Sequence, residues 1–120
     1  MEWDILYTDA FGLWWETLTH DQQDALGDRV DLLQRSGPSL GRPVVDSIKG
    51  SEHKNMKELR ASKDGALRVL FIFDPIRRAV LLVGGDKTGQ WEQWYREAIP
   101  AADALYDAYL EQIRKEGLIP

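Results

Sequence analysis

Two apolar segments separated by a short turn, residues 67–73 and 79–85, most limit the folds open to this chain. The first is apolar on both faces except at Arg68, which is typical of a central strand that is covered on both sides. The turn at 74–77 is short enough to join neighbouring antiparallel strands. The sequence therefore predicts an antiparallel hairpin in the middle of a covered sheet.

Two further strands extend this hairpin. Residues 56–61 precede it across the turn 63–65, so that three consecutive strands form a meander. Residues 2–7 are short and β-prone, and we expect them to add a fourth strand. The segment 38–55 is rich in Gly, Pro and Ser and is predicted to be a loop; its length, about 18 residues, is typical of a functional loop.

Helices are expected on either side of the meander. One helix is predicted over 10–17, and a second follows Thr19, which can form a capping box with Gln22. Ser36-Gly37-Pro38 ends this second helix. A third helical pattern runs over 90–115, and an interruption at Pro100 stays open. The acidic residues of this helix are expected on the face away from its apolar stripe; they are Asp103, Asp107 and Glu111.

The order β-α-α-β-β-β-α predicts an α+β fold in a single domain over residues 1–120. We expect a mainly antiparallel, four-stranded sheet with the two N-terminal helices on one face, packed through Leu26, Val30 and Leu33.

Composition excludes several classes of site. The chain has no cysteine, which removes disulfides, thiol nucleophiles and Cys-ligated metals. The longest apolar runs, such as 79–83, are far shorter than the ~20 residues of a membrane helix. The N-terminal residues lack the basic and apolar regions of a signal peptide. We therefore expect a cytoplasmic protein without a membrane partner.

Charge is distributed unevenly along the chain, whose net charge is −5. Residues 1–41 carry eight acidic and two basic side chains, whereas residues 42–78 carry five acidic and nine basic ones. The basic middle third permits one local anion-binding surface, although a solvated face of mixed charge is the alternative.

Neither histidine lies in a metal-binding pattern, since His20 is in a helix cap and His53 is in the long loop. Residues 84–89 superficially resemble a phosphate-binding loop but lack its GxxxxGK[ST] frame. We interpret them as a strand exit, with glycines where the backbone turns. The sequence thus predicts no metal and no cofactor.

Arg68 is the residue for which the sequence most clearly predicts a negatively charged partner. On a covered strand an unpaired arginine is costly to bury, so Arg68 either pairs with an acid or contacts a ligand anion. Glu58, which shares a strand face with Arg60, is the nearest acid across the hairpin. A structural Glu58–Arg68 or Glu58–Arg60 pair and an anion site both stay open.

Three motifs occur in order: Lys57-Glu58-Leu59-Arg60, Arg68-Val69-Leu70-Phe71-Ile72-Phe73 and Leu81-Leu82-Val83-Gly84-Gly85-Asp86-Lys87-Thr88. In this order, after two helices, they resemble the phage-derived, HigB-like branch of the RelE/ParE toxin superfamily. The resemblance covers nearly the whole chain and is strongest over 53–95. It implies a RelE-like fold and a type II toxin.

The resemblance further implies a metal-independent ribonuclease that cuts mRNA on the ribosome. It implies that a helix-turn-helix antitoxin neutralises the toxin and links it, only indirectly, to operator DNA. The catalytic residues implied are Arg68, Lys87, Glu58 and Arg60, with Arg68 stabilising the scissile phosphate and Glu58 available as general base. The RNA-binding residues implied are His53, Lys54, Lys57, Trp94 and Tyr95. A ParE-like gyrase inhibitor and a non-catalytic interaction module are the alternatives.

Overall fold

The computed structural model describes residues 2–120. Its elements, in chain order, are β1 (Asp4–Tyr7), α1 (Asp9–Glu16), α2 (His20–Ser36), a 3₁₀ turn (Gly37–Ser39), β2 (Val45–Ser47), β3 (Lys57–Ser62), β4 (Ala66–Phe73), β5 (Arg78–Asp86) and α3 (Trp91–Lys115). The strands form one sheet in the order β1-β5-β4-β3-β2, in which β1 is parallel to β5 and the other pairs are antiparallel. The α+β fold is confirmed, and the predicted elements agree with these bounds within two residues.

The sheet has five strands, so the prediction of four was wrong. The additional strand, β2, lies in the segment that was predicted to be a loop and pairs with β3 at the edge of the sheet. It is only three residues long, and Val45 alone is buried, opposite Leu59. A strand this short has too little alternation to be detected against a Gly- and Pro-rich background.

The helices cover both faces of the sheet. Phe11 of α1 and Leu26 and Leu33 of α2 share one hydrophobic core with Val69 and Phe71 of β4. On the other face, α3 packs through small and aromatic side chains against Leu70, Ile72, Val80 and Leu82; the α3 residues buried there are Ala98, Ala102 and Tyr106. The placement of both N-terminal helices on one face is confirmed.

The N-termini of α1 and α2 are held by the threonines that precede them. Thr8 accepts a hydrogen bond from the Phe11 backbone N–H at 3.1 Å. Thr19 and Gln22 form the predicted capping box, with reciprocal hydrogen bonds of 3.0 and 3.1 Å. Caps of this kind stabilise a helix by about 1 kcal/mol each.

Helix α3 continues through Pro100 without interruption. Pro100 and Arg96, whose carbonyl loses its helical partner, are both exposed, so water can take the freed hydrogen bond. Within the described residues 2–120, no helix is both long and apolar enough to cross a membrane.

Asp103 does not lie on the exposed face of α3, so that prediction was wrong. Its carboxylate is buried and accepts hydrogen bonds from the Ser51 hydroxyl and, at 3.0 Å, from the Glu52 backbone N–H. The segment between β2 and β3 folds back over α3 and supplies these donors, which no helical periodicity could reveal. Asp107 and Glu111 are exposed as predicted.

Gly84 and Gly85 lie inside β5 and not at a strand exit, which corrects the interpretation of these glycines. The ring of Trp14, from α1, covers Gly84, where an added Cβ would lie 2.2 Å from the indole. Trp94, from α3, covers Gly85 in the same way, with an added Cβ 2.0 Å from its Nε1. The glycines are required because an indole packs directly on the backbone from each side.

Replacing Gly85 by alanine is expected to push Trp94 away from the sheet and to destabilise the protein by about 1–3 kcal/mol, the usual effect of overpacking. Thermal melting and tryptophan fluorescence measure both effects. Gly41→Ala is the matched control, because its φ is not positive and no described atom lies within 4 Å of the added Cβ. Equal melting temperatures for the two variants would contradict the expected packing.

Candidate functional site

A cluster of charged and phenolic side chains lies at one end of the sheet, on the face covered by α3. Glu58 and Arg60 come from β3, Arg68 from β4, Lys87 from the turn after β5, and Tyr95 from the first turns of α3. Strand pairing brings the first four together, since Arg60 is opposite Arg68 and Arg68 is opposite Gly85.

Glu58 is the centre of this cluster and is only 2% exposed. Its carboxylate accepts hydrogen bonds from the Tyr95 hydroxyl and, at 3.3 Å, from Arg60 Nε. Arg68 Nε lies 3.4 Å from Glu58 Oε1. Both ion pairs considered from the sequence therefore form, and two arginines and a phenol satisfy one buried carboxylate.

Asp46 is a member of the cluster that the sequence analysis missed. It lies on β2 opposite Glu58 and accepts a hydrogen bond from Arg60 Nη2 at 3.2 Å. Arg42 Nε lies 3.6 Å from the same carboxylate. The Ser47 backbone N–H, followed by Arg42 and Arg60, lowers the pKa of Asp46. The one available signal was the valine pair before Asp46, which is β-prone within an otherwise irregular segment.

Arg68 retains unused donor capacity. Its Nη1 donates a hydrogen bond to the Leu67 carbonyl at 2.8 Å, which fixes the guanidinium along β4. Its Nε is buried and makes no hydrogen bond with any described residue. The Glu58 carboxylate, 3.4 Å away, compensates the positive charge of the guanidinium but does not accept a hydrogen bond from Nε. The guanidinium is thus held between the Glu58 carboxylate and the Leu67 carbonyl, with one donor that no described residue satisfies.

Lys87 adds a second positive charge beside Arg68. Burial, together with Arg68 and Arg60, lowers the pKa of the Lys87 ammonium, while Glu58 partly opposes this shift. Its Nζ lies 5.5 Å from the centre of the Tyr95 ring, within the range of a cation–π contact. An ammonium with a lowered pKa releases its proton more readily than an ordinary lysine does.

A tight turn fixes the position of Lys87. Asp86 accepts hydrogen bonds from the Thr88 hydroxyl, the Thr88 N–H and the Ala66 N–H, and the Thr88 contact is the main cause that lowers the pKa of Asp86. The Lys87 N–H donates to the Ala66 carbonyl at 3.1 Å. The backbone on both sides of Lys87 is thus tied to the start of β4.

Tyr95 is a neutral phenol at physiological pH. Burial and the hydrogen bond to Glu58 raise the pKa of Tyr95 to about 12. Trp94, its neighbour, packs on Gly85 and contributes to the core under α3, so it positions Tyr95. Trp91 is 54% exposed and contacts the Tyr95 ring edge-on at 6.5 Å.

Three residues predicted to bind RNA lie elsewhere. Lys57 points to the face opposite Glu58 because side chains alternate along β3, and it lies beside the 3₁₀ turn. His53 hydrogen-bonds Asp107 at 2.8 Å and packs edge-on against Tyr106.

Lys54 lines the same hollow as His53, next to Ile72 at the other end of β4. That end is about 13 Å along the strand from Arg68 at ~3.3 Å per residue. The structure thus brings together Glu58, Arg60, Arg68, Lys87 and Tyr95, with Trp94 behind Tyr95, and leaves His53, Lys54 and Lys57 apart from them.

Residues 13–107 match the sequence model of the phage-derived Gp49-like proteins (DUF891). The chain belongs to this family. Two relatives from Mycobacterium tuberculosis (strain ATCC 25618 / H37Rv) carry the names of proposed toxins. HigB3 is 46% identical over 97 residues, which cover 81% of this chain and 84% of HigB3. HigB2 is 44% identical over 106 residues, which cover 87% of this chain. This Gp49-like protein spans only about half of the length of HigB2, 53%.

Solved structures share the fold of this Gp49-like protein at low sequence identity. A mutant of the E. coli toxin RelE in the free state superposes with a TM-score of 0.62 at 11% identity, covering 83% of this chain and 97% of RelE. A chain of the RelBE2 toxin–antitoxin complex from M. tuberculosis superposes with a TM-score of 0.57 at 15% identity. The superposition covers 72% of this chain and 100% of that chain. The RelE-like fold and the resemblance to the HigB-like branch are confirmed.

Proposed function

We propose that this Gp49-like protein is the toxin of a type II toxin–antitoxin system and cleaves mRNA on the ribosome in the cytoplasm, with residues 1–120 acting as one toxin domain. The toxin names of HigB2 and HigB3 and the RelE-like fold support the class. The observation that carries the chemistry is Arg68, whose guanidinium lies against the buried Glu58 carboxylate and whose buried Nε has no hydrogen-bond acceptor among the described residues.

The proposed reaction is attack of a ribose 2′-hydroxyl on the adjacent phosphate. The 2′-oxygen forms a bond to phosphorus while the bond to the 5′-oxygen breaks, which leaves a 2′,3′-cyclic phosphate. The 2′-hydroxyl proton passes to Tyr95 as the Tyr95 proton passes to Glu58, along the hydrogen bond that already joins them. This relay suits Glu58, which is too buried to meet the ribose directly.

The remaining groups act on the phosphate. Arg68 and Arg60 stabilise the charge that develops on the phosphoryl oxygens, in the manner of an oxyanion hole. Lys87 donates a proton to the departing 5′-oxygen, a role for which its lowered pKa is favourable. Asp46 holds Arg60 in place from β2.

Lys87→Ala is expected to reduce RNA cleavage by about 10²-fold, the usual contribution of a general acid. The melting temperature is expected to stay the same or to rise, because the substitution removes a partly desolvated charge. Primer extension on mRNA from a reconstituted translation reaction measures cleavage. The pH dependence of the cleavage rate provides a control. The decrease in rate at alkaline pH should disappear in Lys87→Ala, and a profile like that of wild type would show that Lys87 is not the general acid.

The partner proposed for this toxin is a helix-turn-helix antitoxin, through which it would reach operator DNA. The RelBE2 structure is described as a toxin–antitoxin complex, which supports a protein partner of this kind. Copurification of the chain with the protein encoded beside it tests the proposal. Growth arrest in which DNA replication stops before translation would instead indicate a gyrase inhibitor.

A further inference from the structure

An apolar groove lies on the face of the sheet opposite the candidate site. It runs between α1 and α2 above β1 and encloses about 360 Å³. Phe11 and Trp15 line it from α1, Val30 from α2, and Tyr7 from the edge strand β1. The Tyr7 side chain is 67% exposed although it is aromatic. We name this feature the α1–α2 groove.

Packing explains why the groove stays open. Helix α1 packs chiefly on β5 and helix α2 chiefly on β3, so a gap is left between the two helices above the sheet. Gly27 lies on the α2 wall, and a Cβ added there would have no described atom within 4 Å.

Neither backbone conformation nor close packing requires this glycine. Gly27 is not among the residues with a positive φ, and the space beside it is empty. Glycine is less favourable in a helix interior than any residue except proline. Gly27 therefore keeps the α2 wall of the groove open and contributes no packing of its own.

The charge of the groove defines the occupant. Glu16 and Asp31 line it, and no basic side chain does so among its described lining residues. Residues 1–41, which supply most of the walls, carry eight acidic and two basic side chains. An isologous contact between two copies of this chain would bring two acidic rims together, which disfavours self-association.

We propose that the α1–α2 groove binds an amphipathic helical segment of a partner protein, with apolar side chains inserted between Tyr7, Trp15 and Val30 and with lysines or arginines beside Glu16 and Asp31. The sheet separates this groove from Arg68, so the segment binds without covering the candidate site. The inference goes beyond the proposed function, because binding here requires neither RNA cleavage nor toxicity.

The test uses two synthetic helical peptides with the same leucine stripe, one flanked by lysines and the other by glutamates. Isothermal titration of the full chain is expected to give binding at least tenfold tighter for the lysine peptide, with a clear decrease at high salt. NMR shift changes are expected on α1 and α2. Equal affinities, or shifts confined to α3, would overturn the proposal.

Three variants complete the test. Gly27→Trp fills the groove and should weaken binding at least tenfold, whereas Gly27→Ala should fold at least as stably and still bind. If Gly27→Trp fails to fold, the double variant Glu16→Gln/Asp31→Asn replaces it and should remove the preference for the lysine peptide. Arg68→Ala should bind the lysine peptide like wild type, which separates this test from that of the proposed function. A dimer in solution that Gly27→Trp dissociates would identify a second copy as the occupant and overturn the proposal.

Discussion

Replacing Arg68 by alanine is expected to lower RNA cleavage by about 10²–10³-fold and to abolish growth arrest, because one preorganised donor to a developing anion typically contributes that much. The protein should remain folded. Glu58 keeps its hydrogen bonds from Arg60 and Tyr95, so the carboxylate is not left without partners. We expect a loss of about 1.5–3 kcal/mol in the free energy of unfolding, the range for a hydrogen bond that involves a charged group, because the bond from Arg68 to the Leu67 carbonyl is lost.

Primer extension and thermal melting, carried out on the same preparations, measure the two effects of Arg68→Ala. Arg114→Ala is the control, since that arginine is exposed near the end of α3 and pairs with Glu111. Loss of cleavage with near-normal melting supports a role on the phosphate. A collapsed melting temperature would indicate that Arg68 is chiefly structural, and retained cleavage with normal melting would exclude both roles.

Glu58→Ala is expected to be the most destabilising substitution in the cluster, by about 3–5 kcal/mol, because removing one partner from a buried ion pair leaves the others uncompensated. Arg60 keeps Asp46, but Arg68 and Tyr95 both lose their carboxylate partner. Glu58→Gln should be less destabilising, since the amide oxygen can still accept from Tyr95. Chemical denaturation of the three proteins measures the differences, and equal stability of wild type and Glu58→Ala would contradict the central position of this carboxylate.

Glu58→Gln is also expected to change how stability depends on pH at alkaline pH. The pKa of Tyr95 is raised from 10.0 to about 12 in the folded protein, so the folded state holds that proton more tightly than the unfolded chain does. The resulting contribution is complete below pH 10 and is lost as the pH rises toward about 12. Burial is the main cause of the raised pKa of Tyr95 and the Glu58 carboxylate is the second, so Glu58→Gln should remove only part of the alkaline loss of stability. The parts due to burial of Tyr95, to Tyr106 and to Tyr109 should remain.

Local sequence signals were sufficient for the helices and for the meander. Thr19 and Gln22 predict the start of α2 because a capping box depends on residues three positions apart. Strand alternation likewise places Glu58 and Arg60 on one face and Arg68 beside them. Three other features depend on contacts between distant residues. These are the pairing of Asp46 with Arg60, the burial of Asp103 under the segment after β2, and the hydrogen bond from Tyr95 to Glu58.

The basic residues that are close together in the sequence do not form one surface, for a related reason. Lys54 and Lys57 lie in the same basic stretch as Arg60, but strand alternation sends Lys57 to the opposite face and the turn before β3 sends Lys54 to the other end of the sheet. Basic residues that are close in sequence therefore need not share a surface, because successive side chains of a strand point to opposite faces of the sheet.

The contacts of Trp14 with Gly84 and of Trp94 with Gly85 limit how this chain can diverge. A side chain at either glycine would occupy the volume of the indole above it. A smaller residue in place of either tryptophan would leave a hole above bare backbone, which no neighbouring side chain of β5 could fill. Natural variants are therefore expected to change each tryptophan together with the glycine beneath it, so that positions 14 and 84, and positions 94 and 85, co-vary as two pairs.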